Sequence, residues 1–453
     1  MNTPRLPSVS PSAGANISRR RFLQNTGAAA LAFPAVVRAA ALNSQFQVAA
    51  IGVDGKGLSD LSEIGSHPKV HLAAFCDVDR ARFAKADQRF PGTPHYQDLR
   101  EMLSQLGDKV DGVIVSTPDH THAFAAMEAM RRGKHVYCQK PLTHTVWEAR
   151  QLRVQAARSG VRTQMGNQIH SASEYRTAVR LIREGRIGKV VEVHSWMRNP
   201  GNGYTKLVAP PPPGPVPEGL AWDLWLGGAP FREYSPEVYH PFKWRDWIAF
   251  GAGTLGDFGC HILDPVFTAL ELKEPLRIRA ENEGLNPHTW PSAETIHYVF
   301  PPTQWTTEKN ISVTWYDGGR LPNLPVEKMP EASQLPRAGS LLVGQAGSLI
   351  IPHVAMPQLY PREKFSDVAV SREPSANHYH AWVDAALSGT ETSDSFAYAG
   401  PLTEAVQLGN VATRFPGVEL HWNAADMRFP NHPKAEELLS RTYRDGWKIS
   451  PAS

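Results

Sequence analysis

One stretch limits the fold more than any other: Phe46-Gln-Val-Ala-Ala-Ile51, then Gly52-Val-Asp-Gly-Lys-Gly57, then a helical pattern from Leu58 to Ile64. The apolar run, interrupted only by Gln47, reads as a buried strand. The glycines turn it directly into a helix, whose first N–H groups are left without partners. A dinucleotide pyrophosphate needs that order: backbone it can approach closely, and the positive end of a helix dipole. Gly52, Asp54, Gly55, Lys56 and Gly57 are therefore candidate cofactor-facing residues. Asp54 stands where the G-x-G-x-x-G pattern has its middle glycine, and its carboxylate would repel phosphate unless it turns away. Gly55 and Lys56 can compensate through backbone freedom and charge.

The strand-and-helix unit then repeats. Val70 to Cys76 reads as a second strand ending on Asp77, roughly 20 residues beyond the glycines. A carboxylate there can accept hydrogen bonds from both adenosine ribose hydroxyls and would repel a 2′-phosphate, which favours NAD over NADP. A plain helix cap is the other reading of Asp77. Asp111 to Ser116 is the next strand, and Ser116, Thr117 and Pro118 border the cofactor at its strand-to-helix turn. His120 and His122 open the helix that follows, as further cofactor-side candidates; no metal site is expected of them. His135 to Gln139 is a strand ending on Lys140 and stopped by Pro141, which restricts Lys140 to extended geometry. That carboxyl edge is where ligands bind in open α/β sheets, and a lysine in a partly dry cleft can trade protons near neutrality. A helix over 145–159 and a strand over 162–165 complete a doubly wound α/β unit.

At 453 residues, 42% hydrophobic and 20% charged, the chain has room for two domains. A net charge of +3, with scattered Lys and Arg, argues against a nucleic-acid partner. The one basic cluster is Ser18-Arg-Arg-Arg-Phe-Leu-Gln24, followed by an apolar run from Gly27 to Val37 and by Ala39-Ala-Ala41. This order makes an export signal, and Arg19-Arg20 gives it a twin-arginine character. The run is too short to span a bilayer, so stable membrane insertion is not expected. The expected address is the periplasm or another exported location. Cys76, Cys138 and Cys260 are odd in number and far apart, as buried free thiols would be.

Beyond Met165 the pattern changes. A helix over 173–184 and a strand over 190–196 lead into a proline-rich stretch, Arg198 to Phe250, that carries Trp222, Trp225, Trp244 and Trp247. Loops of this length are functional or disordered, and tryptophans argue against disorder. Two readings stay open. Trp244 can offer a flat face to a sugar, with Arg245 and Asp246 serving hydroxyls, or the aromatics pack on themselves or on a neighbouring subunit. Thr254 to Leu270 reads as one helix with Asp257 and His261 on one face. Strands over 276–280, 294–300, 310–315 and 340–351, the last a hairpin at Gly344 and Gly347, alternate like one sheet. One face of it is expected toward the cleft and the other toward a second subunit. Helices are expected over 378–387 and 401–414.

Three marks occur together: the dinucleotide-type start, Gln139-Lys140-Pro141, and Gly251-Ala-Gly-Thr-Leu-Gly-Asp257-Phe-Gly-Cys-His261. The chain in this respect resembles the Gfo/Idh/MocA oxidoreductases, whose marks include Glu-Lys-Pro and a later Asp-x-x-x-His. The resemblance runs from about Gln45 to the Trp447 tail. It implies an α/β Rossmann dinucleotide-binding domain followed by an α+β domain with an open, mostly antiparallel sheet. The expected divisions are 1–41 signal, 42–166 Rossmann, 167–425 substrate and oligomerisation, and 426–453 packing back on the first domain. It also implies NAD as cofactor, Gln139 near the nicotinamide ribose, and Gln168 and His170 over the nicotinamide and substrate. Lys140 and His261 would handle the proton, with Asp257 orienting substrate or base. Imidazole titrates near neutrality and suits that role. A carbohydrate substrate and a homo-dimer or homo-tetramer are expected.

The reading that follows is an exported, NAD-dependent oxidoreductase that turns a ring hydroxyl of a sugar or glycoside into a ketone, with C3 a candidate position. Free NAD is scarce outside the cytoplasm, so the cofactor is expected to be held tightly and recycled. A redox-neutral NAD-dependent glycoside hydrolase is one alternative. A non-catalytic sugar-binding protein, favoured by Asp54 and Gln139, is another.

Overall fold

A computed structural model describes residues 45–198, 203–325 and 327–452; the basic cluster and apolar run of the N-terminus lie outside them. The first sheet has six parallel strands: β1 (Phe46–Ile51), β2 (Val70–Cys76), β3 (His95–Tyr96), β4 (Gly112–Val115), β5 (His135–Cys138) and β6 (Thr163–Met165). Their order is β3-β2-β1-β4-β5-β6, so the winding reverses between β1 and β4. A crevice opens at the carboxyl ends of the strands at such a reversal. The central strands are apolar apart from Gln47, because helices cover both faces. Among these are α1 (Lys56–Gly65), α2 (Asp119–Arg131) and α3 (Val146–Ser159). Thr145 starts α3 with a reciprocal capping box to Glu148.

The second sheet holds β7 (Val190–Met197), β8 (Arg277–Glu283), β9 (Ala293–Phe300), β10 (Ile311–Tyr316), β11 (Ala338–Gly344), β12 (Gly347–Pro352), β13 (Gln358–Tyr360) and β14 (Glu419–His421). Its order is β13-β12-β11-β7-β10-β9-β8-β14, antiparallel except where β10 runs parallel to β7. Inward residues such as Val193, Ile278, Ile296, Val313 and Leu342 join a core shared with the first sheet. The helices here include α4 (Ser173–Arg183), α5 (Gly253–Ile262), α6 (Asp264–Leu270), α7 (His378–Ser388) and α8 (Phe396–Thr413). On the outward face, Trp196, Leu341, Val343 and Ile350 are covered by Met329 and Leu335 of the same chain. That apolar patch is thus buried within the chain.

Two helix boundaries differ from expectation. The single helix expected over 254–270 is two helices broken at Leu263, because Pro265 lacks the N–H that would continue the first. The last long helix begins at Phe396 and carries Pro401 inside it, although proline favours the first turn. Two later segments return to the first sheet. Trp382 of α7 packs edge-on against Phe46, and Trp447 of the tail packs against Phe124. The tail also sends Arg441 and Tyr443 to the buried Glu148 carboxylate. All three cysteines are free and buried. Among the described residues, no helix is long and apolar enough to cross a membrane.

Candidate active site

The crevice at the β1/β4 reversal is one continuous cavity of about 540 Å³. It runs from Asp77 past the glycine turn to Lys140, Asp257 and His261. Gly52 takes φ +82°, and a Cβ there would meet the Ser116 carbonyl oxygen at 2.4 Å. Gly55 takes φ +57° with open space where a side chain would be. A Cβ on Gly57 would strike the Gly52 carbonyl oxygen, so this glycine serves helix-to-strand packing and does not line the cavity. The first turn of α1 has neither a side-chain cap nor an acidic residue. The Asp54 carbonyl takes the Gly57 N–H at 3.0 Å, and the helix start still presents the positive end of its dipole to an anion at the cavity wall.

Asp77 is fixed at the end of β2 by accepting from the Val53 and Asp79 N–H groups, each at 3.1 Å. Burial pushes its carboxyl up to about 6 against those two bonds, so it is largely ionised at neutral pH. Asp54 does not point unpaired at the turn: Arg82 donates to one oxygen (3.0 Å) and Lys85 to the other (3.1 Å). Burial pushes Asp54 up, but the Gly55 N–H, Lys85 and Arg82 outweigh it and hold the group below the ordinary carboxylate range. The glycine turn, bare helix start and oriented Asp77 carboxylate together fit an NAD molecule.

Gln139 is explained by a residue that sequence reading missed. Asp60 on α1 is fully buried and accepts from Gln139 Nε2 (2.8 Å), Ser116 Oγ (2.7 Å) and Lys56 Nζ. A glutamate at 139 would face that carboxylate directly. The change from Glu-Lys-Pro thus implies a buried acceptor opposite position 139, and the i,i+4 spacing of Lys56 and Asp60 is the sequence signal for it.

At the other end of the cavity, Lys140 Nζ donates to Asp257 Oδ1 (2.6 Å) and to the Asp257 carbonyl oxygen (2.7 Å). Tyr204 donates its hydroxyl to the other carboxylate oxygen, and Arg245 Nε lies 3.7 Å from Oδ1. Burial alone would raise the Asp257 carboxyl, but Lys140, Arg245 and Tyr204 hold it far below the usual range. His261 lines the same cavity. Its Nδ1 is 2.5 Å from Asn167 Oδ1, while Asn167 Nδ2 donates to the Cys260 carbonyl at 3.0 Å. That second bond fixes the amide orientation, so His261 Nδ1 carries the proton and Nε2 is the basic nitrogen. Burial and the nearby Lys140 charge push the imidazole well below 6.5, so it is neutral at physiological pH.

Ser116, Thr117, Pro118, Gln139, Gln168, Trp244 and Arg245 all line the cavity. Three histidines do not. His120 donates to the Trp225 carbonyl, and His122 lies between the carbonyls of Thr117 and Pro141, so both brace backbone. His170 pairs with Asp264 at 2.9 Å; burial opposes its charge, but Asp264 and Asp394 raise it to about 9. The aromatic stretch packs mostly on itself: Trp222 stacks on Trp225 at 4.6 Å, and Trp247 is fully buried. Trp225 and Trp244 also border the cavity. Asp246 is buried and does not line the cavity; one of its oxygens accepts from the Tyr204 and Thr205 N–H groups. Asp119, missed in the sequence, lines the cavity, with one oxygen accepting from the Ala252 N–H at 3.1 Å.

Residues 46–167 match the family model for the oxidoreductase family with an NAD-binding Rossmann fold, and residues 202–300 match that for its C-terminal alpha/beta domain. A glycosyl hydrolase family 109 protein of Shewanella sp. (strain W3-18-1) is 33% identical over 154 residues, covering 32% of this chain and 33% of that protein. Inositol 2-dehydrogenase of Corynebacterium glutamicum (strain R) is 24% identical over 208 residues, covering 44% and 59%. The chain thus matches less than two thirds of the length of these relatives. Among solved structures, the WlbA dehydrogenase of Bordetella pertussis in complex with NADH and UDP-GlcNAcA superposes with a TM-score of 0.59. That match has 14% identity and covers 84% of this chain and 99% of that one, a likeness of fold. With its parallel nucleotide-binding sheet, its mostly antiparallel second sheet and both family models matched in order, the chain belongs to the Gfo/Idh/MocA oxidoreductase family.

Proposed function

We propose that this protein oxidises a ring hydroxyl of a sugar or glycoside to a ketone, using an NAD molecule that stays bound and is returned to NAD⁺ in place by passing its hydride to the carbonyl of a second sugar. The observation that carries this reading is the meeting of the Lys140–Asp257 pair and neutral His261 in the cavity that also contains Asp77 and the glycine turn. Bound NAD⁺ would supply the hydride acceptor. His261 Nε2, bare because Nδ1 donates to Asn167, takes the proton of the substrate hydroxyl. The Lys140 ammonium, aimed by Asp257, donates to the same oxygen and stabilises negative charge as that proton leaves. Trp244 and the Arg245 guanidinium stacked 4.3 Å over it both line the cavity and suit the face and hydroxyls of a ring. We further propose, from Arg19-Arg20 and the apolar run behind them, that the chain is exported by the twin-arginine route to the periplasm.

A second reading has specific support in the Shewanella relative named as a glycosyl hydrolase. There the transient ketone acidifies a neighbouring C–H, the glycosidic bond is eliminated to leave an enone, water adds to that enone, and hydride returns to the ketone. The same three residues serve its first step. Purified protein decides between the readings. Bound reduced nicotinamide that bleaches on addition of a keto-sugar, with a ketone product detected by mass, is expected for the oxidoreductase. Phenol released from an aryl glycoside without added NAD would assign the hydrolase. Protein that takes up no nucleotide under any condition overturns both.

A further inference from the structure

The aromatic insertion does more than pack on itself. It crosses to the loop that follows β2 and bonds there repeatedly. The Ala221 N–H donates to the Val78 carbonyl at 2.8 Å, and the Gly219 carbonyl accepts from Arg80 N (3.1 Å) and Gln97 Nε2 (2.9 Å). Farther along, His240 Nε2 lies 2.9 Å from Asp79 Oδ2. A carboxylate only accepts, so His240 donates. Arg82 Nε donates to the same Asp79 oxygen at 3.0 Å, and Arg82 Nη1 reaches Asp54 in the glycine turn at 3.0 Å.

These contacts form one chain of side chains, His240–Asp79–Arg82–Asp54, from the insertion across the β2 loop to the glycine turn. Asp54, Arg82 and His240 line the same cavity as Asp77. All four are at least half buried, so solvent screens their bonds less than those of surface ion pairs. The arrangement also accounts for the departure at Asp54. A glycine there would leave Arg82 without its partner across the crevice. Fold bracing alone would not require an acidic residue in the turn that faces the cofactor.

We infer that residues 219–242 belong to the dinucleotide site, and that His240–Asp79–Arg82–Asp54 is a clasp over its adenosine end that must part before NAD(H) leaves. The inference rests on the proposed NAD-dependent chemistry and supplies its missing element, retention of the nucleotide between turnovers. Substrate would enter at the Lys140 end, which the clasp leaves untouched.

The test is nucleotide release. Full-length protein is loaded with NADH and mixed with lactate dehydrogenase and pyruvate, which oxidise any NADH set free, and the loss of bound-NADH fluorescence is followed. Wild type is expected to release slowly relative to trap turnover. His240→Ala and Asp54→Gly, at opposite ends of the clasp, are each expected to release about tenfold faster or more. Opening either end opens the clasp, so the double variant should release no faster than the quicker single variant. Melting of the nucleotide-free proteins reports whether each variant folds, and if one does not, the variant at the other end decides. Rapid release from wild type, or unchanged release from folded variants, overturns the clasp and leaves the oxidoreductase reading standing. A wild type that binds no NADH overturns that reading instead.

Discussion

Asn167 accepts a hydrogen bond from His261 Nδ1 at 2.5 Å, and its own amide is held by the Cys260 carbonyl. One side chain at the exit of β6 therefore sets the tautomer of an imidazole on α5. Asn167→Ala removes that constraint and is expected to lower kcat by roughly tenfold to a hundredfold, the loss of about 1–3 kcal/mol from one buried hydrogen bond, with KM little changed. The ¹⁵N shifts of His261 should show protonation moving from Nδ1 toward a mixture. In Asn167→Asp a carboxylate would face Nδ1 and favour the imidazolium. A base must be unprotonated to act, so the acid limb of kcat/KM should move to higher pH in that variant. An unmoved limb and unmoved shifts would reduce Asn167 to a packing residue.

Gln139→Glu restores the Glu-Lys-Pro pattern and is expected to harm this chain. The new carboxylate would lie against buried Asp60 at the 2.8 Å now spanned by an amide. Like charges at that distance cannot both ionise cheaply, so the variant should lose about 2–4 kcal/mol at pH 7 and recover part of it on acidification. Asp60→Asn combined with Gln139→Glu should restore much of the stability. Urea unfolding of the four proteins measures this coupling.

How much could be read beforehand follows from which signals are local. Five of the six strands of the first sheet were legible, most of them as short apolar runs ending at a turn residue, whereas the two-residue β3 carries no such run. Asp77, Lys140, Asp257 and His261 were legible because each sits at a defined place relative to such an element. The error at His120, His122 and His170 has one cause: a histidine beside a candidate site can spend its nitrogens on backbone carbonyls or a buried acid, and spacing does not show which. Asp60, Asn167 and Tyr204 were missed because their partners lie 79, 94 and 53 residues away. Contacts at that range leave no periodic trace. Asp54 and Gln139 were visible as departures, but their compensation lies in Arg82 and Asp60, which only the folded chain brings together.

Lys140→Ala should abolish turnover while leaving nucleotide binding in place, and it should also cost stability in a pH-dependent way. It leaves the buried Asp257 carboxylate without its principal cation, a loss of about 3–5 kcal/mol at neutral pH for a broken buried pair. Asp257 has a depressed folded-state value, so its contribution is present above the unfolded value near 4 and is lost as pH falls toward the folded one. The gap between wild type and variant should therefore be full at pH 7 and narrow below about pH 4. Denaturant midpoints at both pH values check this. A gap constant with pH would show that the pair does not set the Asp257 charge.

Asp119 has the opposite sign. Burial raises its carboxyl to about 7; Arg245 and Lys140 oppose the shift and Asp257 adds to it. A carboxyl raised on folding stabilises the native state below its unfolded value near 4, and that contribution is lost as pH climbs through the folded value. Wild type should therefore weaken between about pH 4 and 7 from this group alone and level off above. Asp119→Asn keeps an oxygen to accept from the Ala252 N–H but carries no charge. It should be more stable than wild type by about 2–4 kcal/mol at pH 8 and equal to it near pH 4. The kcat/KM profile adds a functional reading, because Asp119 shares the cavity with Lys140 and His261. If its charge helps to hold the Lys140 end of the cavity in order, a rise in rate centred near pH 7 in wild type should be absent from the variant. A rise that persists in Asp119→Asn would assign that titration to another group.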